Sequence, residues 1–159
     1  MNTPQISSSL LESESWTPEE KNNVKTVAEF MQLLMNEHKF DQVLSKFQNN
    51  LYTQHNRNIP DGFESLVKYV ENFSKKFPEY SYDVKRITAD GDYVTFHSHV
   101  TTKAAHRGND KKGLNIIDTW ELQDGKIAKH WDAIQPLDFF MRMYVWLTGG
   151  NIKNNNGVF

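Results

Sequence analysis

No cysteine occurs among the 159 residues, and that absence removes the most chemistry at once. Disulfide frameworks, zinc ribbons, thiol nucleophiles and thiolate-held iron–sulfur clusters all require it. An excess of one charge is missing too: 18 Lys and Arg stand against 20 Asp and Glu, a formal net charge of −2. A chain so balanced has no basic footprint for a polyanion, which argues against nucleic acid as a partner. Long apolar runs are lacking as well. The densest stretch, Phe139 to Leu147, is broken by Arg142 and is far short of the ~20 residues that span a bilayer, so no membrane partner is expected. Residues 1–15 are polar and lack the basic and apolar regions of a secretory leader, which leads to the expectation of a cytoplasmic protein. Neither a Gly-rich phosphate loop nor a G-x-S-x-G elbow occurs. What chemistry remains rests on six His and on carboxylate, Tyr and hydroxyl groups.

At ~150 residues a chain can bury about 68–70% of its unfolded surface without a covalent staple. The expected organisation is a flexible arm at 1–15, one domain at 16–148 and an Asn/Gly-rich tail at 149–159. Thr17-Pro18-Glu19-Glu20 supplies an N-cap, a first-turn proline and a capping-box glutamate. Behind it Val24, Val27, Ala28, Met31, Leu34 and Met35 recur at helical spacing. Phe40 to Phe47 predicts a second helix, and Phe63 to Phe73 a third, with Asp61 as its cap and Pro78 after its end. From Tyr80 the period falls to 2, with turns at Asp90-Gly91-Asp92 and Gln123-Asp124-Gly125-Lys126 between strands. After Pro136 a short helical stripe follows, and its aromatics Phe139, Phe140, Tyr144 and Trp146 suit either core and dimer contacts or a lid. Helices first and a strand meander afterwards predict an α+β fold, with N-terminal helices packed on a strongly curved antiparallel sheet. The concave side of such a sheet is a natural small-molecule pocket.

Polar residues on strand faces assigned to the interior carry the most information. Alternation puts Asp118 with Ile116 and Trp120 on one strand face, and His130 and Asp132 with Ala128 and Ile134 on one face of the next. A three-residue turn with a bulge at Gly125 would set Asp118 against His130 and Ile116 against Asp132, whereas a two-residue Asp-Gly turn would set Asp118 against Trp131. The bulged turn is preferred because it gathers the ionisable groups among apolar neighbours. Burial and a second carboxylate raise a carboxyl pKa and an imidazolium lowers it. That mixture can tune a base to work near neutral pH, or the three can form a satisfied structural network. His97 and His99 share a strand face two residues apart. Metal ligation, pocket lining and a structural or solvent role all remain open for them. Tyr52-Thr53-Gln54-His55-Asn56, ahead of Pro60-Asp61-Gly62, fits a pocket rim or an ordinary connection.

As a set these strings, with Gly91-Asp92-Tyr93-Val94-Thr95-Phe96-His97-Ser98-His99 and His130-Trp131-Asp132-Ala133-Ile134-Gln135-Pro136, resemble the SnoaL-like polyketide cyclase group of the NTF2-like superfamily. The resemblance implies a cone-shaped α+β fold, a deep pocket and a homodimer formed through the sheet. It further implies abstraction of a proton next to a carbonyl, as in aldol-condensation, cyclase or isomerase chemistry, with neither metal nor cofactor. Asp132 matches the family's acid/base, with His130 or Asp118 tuning it. Tyr52, His55, Asn56, His97, His99, Trp120 and Gln135 fall at the substrate site, where His55, Asn56 or a strand His would bond the enolate oxygen. Asp118 stands where some cyclases carry histidine, and Arg57 where relatives often have proline, which implies a different substrate or pocket mouth. The scaffold also hosts non-enzymes, so the alternative is a non-catalytic small-molecule-binding or dimerisation module.

Overall fold

The computed structural model describes residues 3–149 and 153–157. Helix α1 (Pro18–Met31) begins at the reciprocal box read from the sequence: Thr17 Oγ1 accepts from Glu20 N–H while the Glu20 carboxylate accepts from Thr17 N–H. The second Glu20 oxygen accepts from Gly91 N–H at 2.9 Å, which ties this helix start to a strand turn. α1 runs into a wider π-helical turn, Gln32–Asn36, and there Asn36 points inward. Its side chain accepts from Tyr82 N–H at 2.7 Å and donates to Tyr82 O at 3.0 Å, so a buried amide is satisfied by a strand. Helices α2 (Phe40–Phe47) and α3 (Phe63–Lys76) follow. Asp61 does not cap α3. The cap is Gly62 at φ 91°, and Asp61 Oδ1 instead accepts from Gln54 N–H at 2.8 Å. A positive φ at that position is accessible to glycine at little cost.

Strands β1 (Thr53–Gln54), β2 (Ser81–Asp90), β3 (Tyr93–Thr101), β4 (Leu114–Gln123) and β5 (Lys126–Pro136) form one sheet in the order β1-β5-β4-β3-β2. The four long strands are an antiparallel meander, but β1 pairs parallel with β5, so the sheet is mixed rather than wholly antiparallel as expected. The core lies between α1–α3 and the inner sheet face. Phe30 stands at its centre, with Phe47, Phe63 and Trp120 ring centroids 5.6, 5.8 and 5.0 Å away. Each such buried side chain contributes roughly 1.5–3 kcal/mol.

Helix α4 (Phe139–Thr148) packs beside β5 and is capped by Asp138, which accepts from Met141 N–H and from Gly113 N–H. Met141, Tyr144 and Val145 turn inward, whereas Phe139, Trp146 and Leu147 are exposed. Ahead of α1, in the segment expected as a flexible arm, Ile6, Leu10 and Leu11 lie partly buried against the core, as does Trp16 just after it. The expected tail, 149–159, falls partly outside the described residues. Within it Asn154 is buried, and its Nδ2 donates to the carbonyls of Asn56 and Ile59 at 2.9 and 2.8 Å. No helix among the described residues is long and apolar enough to cross a membrane.

Candidate active site

The register of β4 and β5 builds the site. Asp124 (φ 51°) and Gly125 (φ 71°) make a two-residue turn between Gln123 and Lys126. Leu122 then pairs with Ile127 and Glu121 with Lys129, which leaves Ala128 as an extra residue in β5. Neither anticipated register is realised. Asp118 faces Asp132 rather than His130, Trp120 faces His130, and Ile116 faces Ile134. Asp-Gly favours the tight turn because paired positive φ values match the strand twist. The bulge then shifts the phase by one residue and returns His130 and Asp132 to the inner face beside Asp118.

Three groups converge there. His130 Nε2 lies 3.1 Å from Asp118 Oδ1, and both residues are almost wholly buried. The His130 ring stacks on Trp120 at 3.9 Å between centroids, and its Nδ1 lies 3.0 Å from Gln54 Oε1. Both oxygens of the half-buried Asp132 accept from Asn56 Nδ2, at 2.8 and 2.7 Å. Parallel pairing of β1 with β5 explains these partners: Gln54 is opposite His130 and turns inward with it.

Loss of solvation governs the electrostatics. Burial pushes the Asp118 carboxyl up to about 8 and holds the His130 imidazole down to about 4. The pair is therefore a neutral acid beside a neutral imidazole near pH 7, and not an ion pair. Asp132 is also raised above the usual carboxylate range, first by burial; the His130 interaction and the Asn56 bond oppose this, while Asp118 adds to it. One ligand atom from each of Asp118, His130 and Asp132 lies within 4.8 Å of the others. A cation could use all three only by displacing the proton between Asp118 and His130.

These residues form the floor of a cavity of about 120 Å³. Tyr69, Tyr80 and Tyr82 line its wall, Asn56 stands beside Asp132, and Tyr144 and Val145 of α4 line it as well. Tyr144 also packs edge-on against Phe73 and Phe77 at 6.1 and 5.7 Å, so the inner face of the helix belongs to the core as well as to the cavity. Burial holds the Tyr69, Tyr82 and Tyr144 hydroxyls above their ordinary pKa, so they remain donors at neutral pH.

Of the residues singled out in the sequence, Asp118, His130, Asp132 and Asn56 meet at the cavity. Trp120 lies beneath His130, and Tyr52 stands behind the cavity as the partner of Gln54 Nε2 at 2.9 Å. Four others lie elsewhere. His55 is one residue out of phase with Gln54 and stacks on Trp131 at 4.5 Å. His97 and His99 alternate with buried Phe96 and Ser98, so they occupy the outer sheet face, where their Nε2 atoms bond Asn115 Oδ1 and Lys112 O. Gln135 is exposed and accepts from Asn115 Nδ2. Gln54 and the wall tyrosines were not singled out.

A mixed sheet under helices, with an acid–imidazole pair and a second carboxylate at the floor of a cavity, defines an α+β pocket protein. The chain belongs to the SnoaL-like domain family, whose model matches residues 27–130. No curated protein matches it. Among solved structures, a Bacillus cereus protein named as a candidate polyketide cyclase aligns over 96% of this chain and 95% of its own, at 20% identity and a TM-score of 0.64. A candidate SnoaL-like polyketide cyclase from Jannaschia aligns over 90% and 99%, at 16% identity and a TM-score of 0.60. An NTF2-like protein of unknown function from Cytophaga hutchinsonii aligns over 72% and 90%, at 19% identity and a TM-score of 0.55. These likenesses establish the NTF2-like fold.

Proposed function

We propose that this protein is an enzyme that removes a proton next to the carbonyl of a small uncharged compound, with Asp132 as the base. The observation that carries the reading is the placement of Asp132. It is the half-buried carboxylate at the cavity floor, raised in pKa yet held by Asn56, beside a buried acid that remains neutral. A base with a raised pKa gains driving force for abstraction. The developing enolate charge would be met by donors on the same cavity wall, the Tyr69 and Tyr144 hydroxyls and the Asn56 amide. His55, His97 and His99 face elsewhere and take no part in this reading. No Lys or Arg lines the cavity among the described residues, whereas two carboxyls do, which disfavours a carboxylate or phosphate ester as substrate.

Exchange of α-hydrogen for deuterium, followed by proton NMR across a panel of small uncharged ketones in heavy water, tests the proposal. The wild-type protein should accelerate exchange, and Asp132→Asn should lower the rate by roughly 10²–10⁴-fold, the usual contribution of a general base, while leaving ligand affinity within a few-fold. Equal rates for the two proteins would remove Asp132 from the role.

A further inference from the structure

The amide of Gln54 has only one orientation open to it, and the consequence reaches the reacting groups. Asn56 N–H, which can only donate, lies 2.9 Å from Gln54 Oε1, so that atom is the carbonyl oxygen. A carbonyl oxygen can only accept, so His130 Nδ1, 3.0 Å away, carries a hydrogen. A neutral imidazole protonated on Nδ1 has its lone pair on Nε2, which faces Asp118 Oδ1 at 3.1 Å. The hydrogen in that contact must then come from the Asp118 carboxyl.

We propose that Gln54 is a positioning residue that fixes His130 as the neutral Nδ1–H tautomer and so keeps a proton on Asp118, leaving Asp132 the one carboxylate of the cluster free to ionise near neutral pH. The part concerning Asp132 rests on the function proposed above; the tautomer does not. Gln54 is held at both ends of its side-chain amide and along its main chain. Its Nε2 donates to Tyr52 Oη at 2.9 Å and its Oε1 accepts from Asn56 N–H, while its main-chain N–H donates to Asp61 Oδ1 at 2.8 Å and its main-chain carbonyl accepts from Asn156 Nδ2 at 3.0 Å. The Trp120 face fixes the plane of the ring.

The titratable groups facing the pair agree with this assignment. From the β1 side stand Tyr52 and, across the sheet edge, His55; from β5 itself comes Asp132. From β2 and the residue before it come Tyr82 and Tyr80, both held protonated by burial. None offers His130 a second acceptor. Were Asp118 ionised, its carboxylate would point at the Nε2 lone pair and would stand beside Asp132 on the neighbouring strand. The base would then be forced to keep its own proton.

Histidine labelled with nitrogen-15 in the intact protein reads the tautomer directly through long-range proton–nitrogen spectra, recorded with chelator between pH 5.5 and 7.5. His130 is expected as neutral Nδ1–H throughout, with the Asp118 carboxyl carbon at its protonated shift. A neutral Nε2–H ring or an imidazolium would overturn the inference. Gln54→Leu should convert His130 to Nε2–H, donating to an ionised Asp118, and should move the acid limb of the α-exchange profile to higher pH. A folded Gln54→Leu protein that retains Nδ1–H would also overturn it. Tyr52→Phe removes only the Nε2 partner of Gln54 and should retain the wild-type tautomer. The two readings separate: the expected tautomer without any exchange activity defeats the function alone, and activity lost in Asp132→Asn with a wild-type Nε2–H ring defeats this inference alone.

Discussion

At residue scale the site is governed by a carboxyl that the fold keeps uncharged. Asp118 is almost wholly buried against a single polar partner, so its neutral form acts as a hydrogen-bond donor and its charged form is penalised. An amide can do the same work. Asp118→Asn presents Nδ2–H to His130 Nε2 and should change unfolding free energy at pH 6 by no more than about 1 kcal/mol. Asp118→Leu leaves the buried Nε2 without a donor and should cost about 1–3 kcal/mol; urea denaturation of both variants checks the contrast, and equal losses would refute the donor role. The triad itself was legible because Asp118, His130 and Asp132 interrupt apolar strands with the period of the interior face. His97 and His99 were legible as sharing one strand face, but which face turns inward was left open until the structure put Phe96 and Ser98 in the interior. The family resemblance had made them pocket candidates. Gln54 escaped because a two-residue strand has no periodicity of its own, and its inward turn is inherited from β5 by parallel pairing.

At the scale of elements, glycine separates positions where the chain only turns from positions where it must also pass close to a neighbour. Gly125 sits at φ 71° in the β4–β5 turn, and a Cβ added there would have nothing within 4 Å. Gly113 sits at φ 84° where β4 begins, and a Cβ there would stand 2.1 Å from Val100 O. Gly125→Ala should therefore cost about 1–2 kcal/mol, the strain of a left-handed alanine. Gly113→Ala adds a backbone clash that can be relieved only by moving the β3–β4 connection, and should cost well above ~2 kcal/mol. Thermal melts that rank the two variants equally would contradict this. The long helices and strands were readable because period, caps and turn residues agree at each. The register of β4 on β5 was not. The Asp-Gly turn and the bulge at Ala128 each shift the pairing by one residue, and no side chain near Ala128 marks the extra position. Two shifts together restored the expected face while changing every partner across it.

For the molecule as a whole, the buried pair makes stability depend on pH in a definite direction. Unfolded, Asp118 and His130 revert to ordinary values of 3.8 and 6.5; folded, they stand at about 8 and about 4. Between pH 4 and 6.5 each state therefore holds one proton on the pair, on His130 when unfolded and on Asp118 when folded, and their contributions to the slope cancel. Above pH 6.5 the unfolded imidazole has lost its proton while the folded carboxyl keeps its own until about pH 8. The unfolded state then binds fewer protons, so stability falls as pH rises, by up to about 1.4 kcal/mol per pH unit. Asp132, raised in the folded state, pushes in the same direction as pH rises through its own folded value. Surface carboxylates such as Glu20 and Glu71, lowered by their hydrogen-bond and Lys partners, have the opposite sign but act only below their ordinary range near 4.5. The interval from pH 6.5 to 8 lies above the range of the surface carboxylates, so there the difference between the wild-type and Asp118→Asn profiles reports the buried acid. Urea unfolding across it should show a loss on the order of 1–2 kcal/mol in the wild-type protein and a clearly flatter profile in Asp118→Asn, whose amide has no proton to lose. Parallel profiles for the two proteins would mean that the Asp118 carboxyl is already ionised in the folded state, and the neutral pair at the base of the cavity would have to be abandoned.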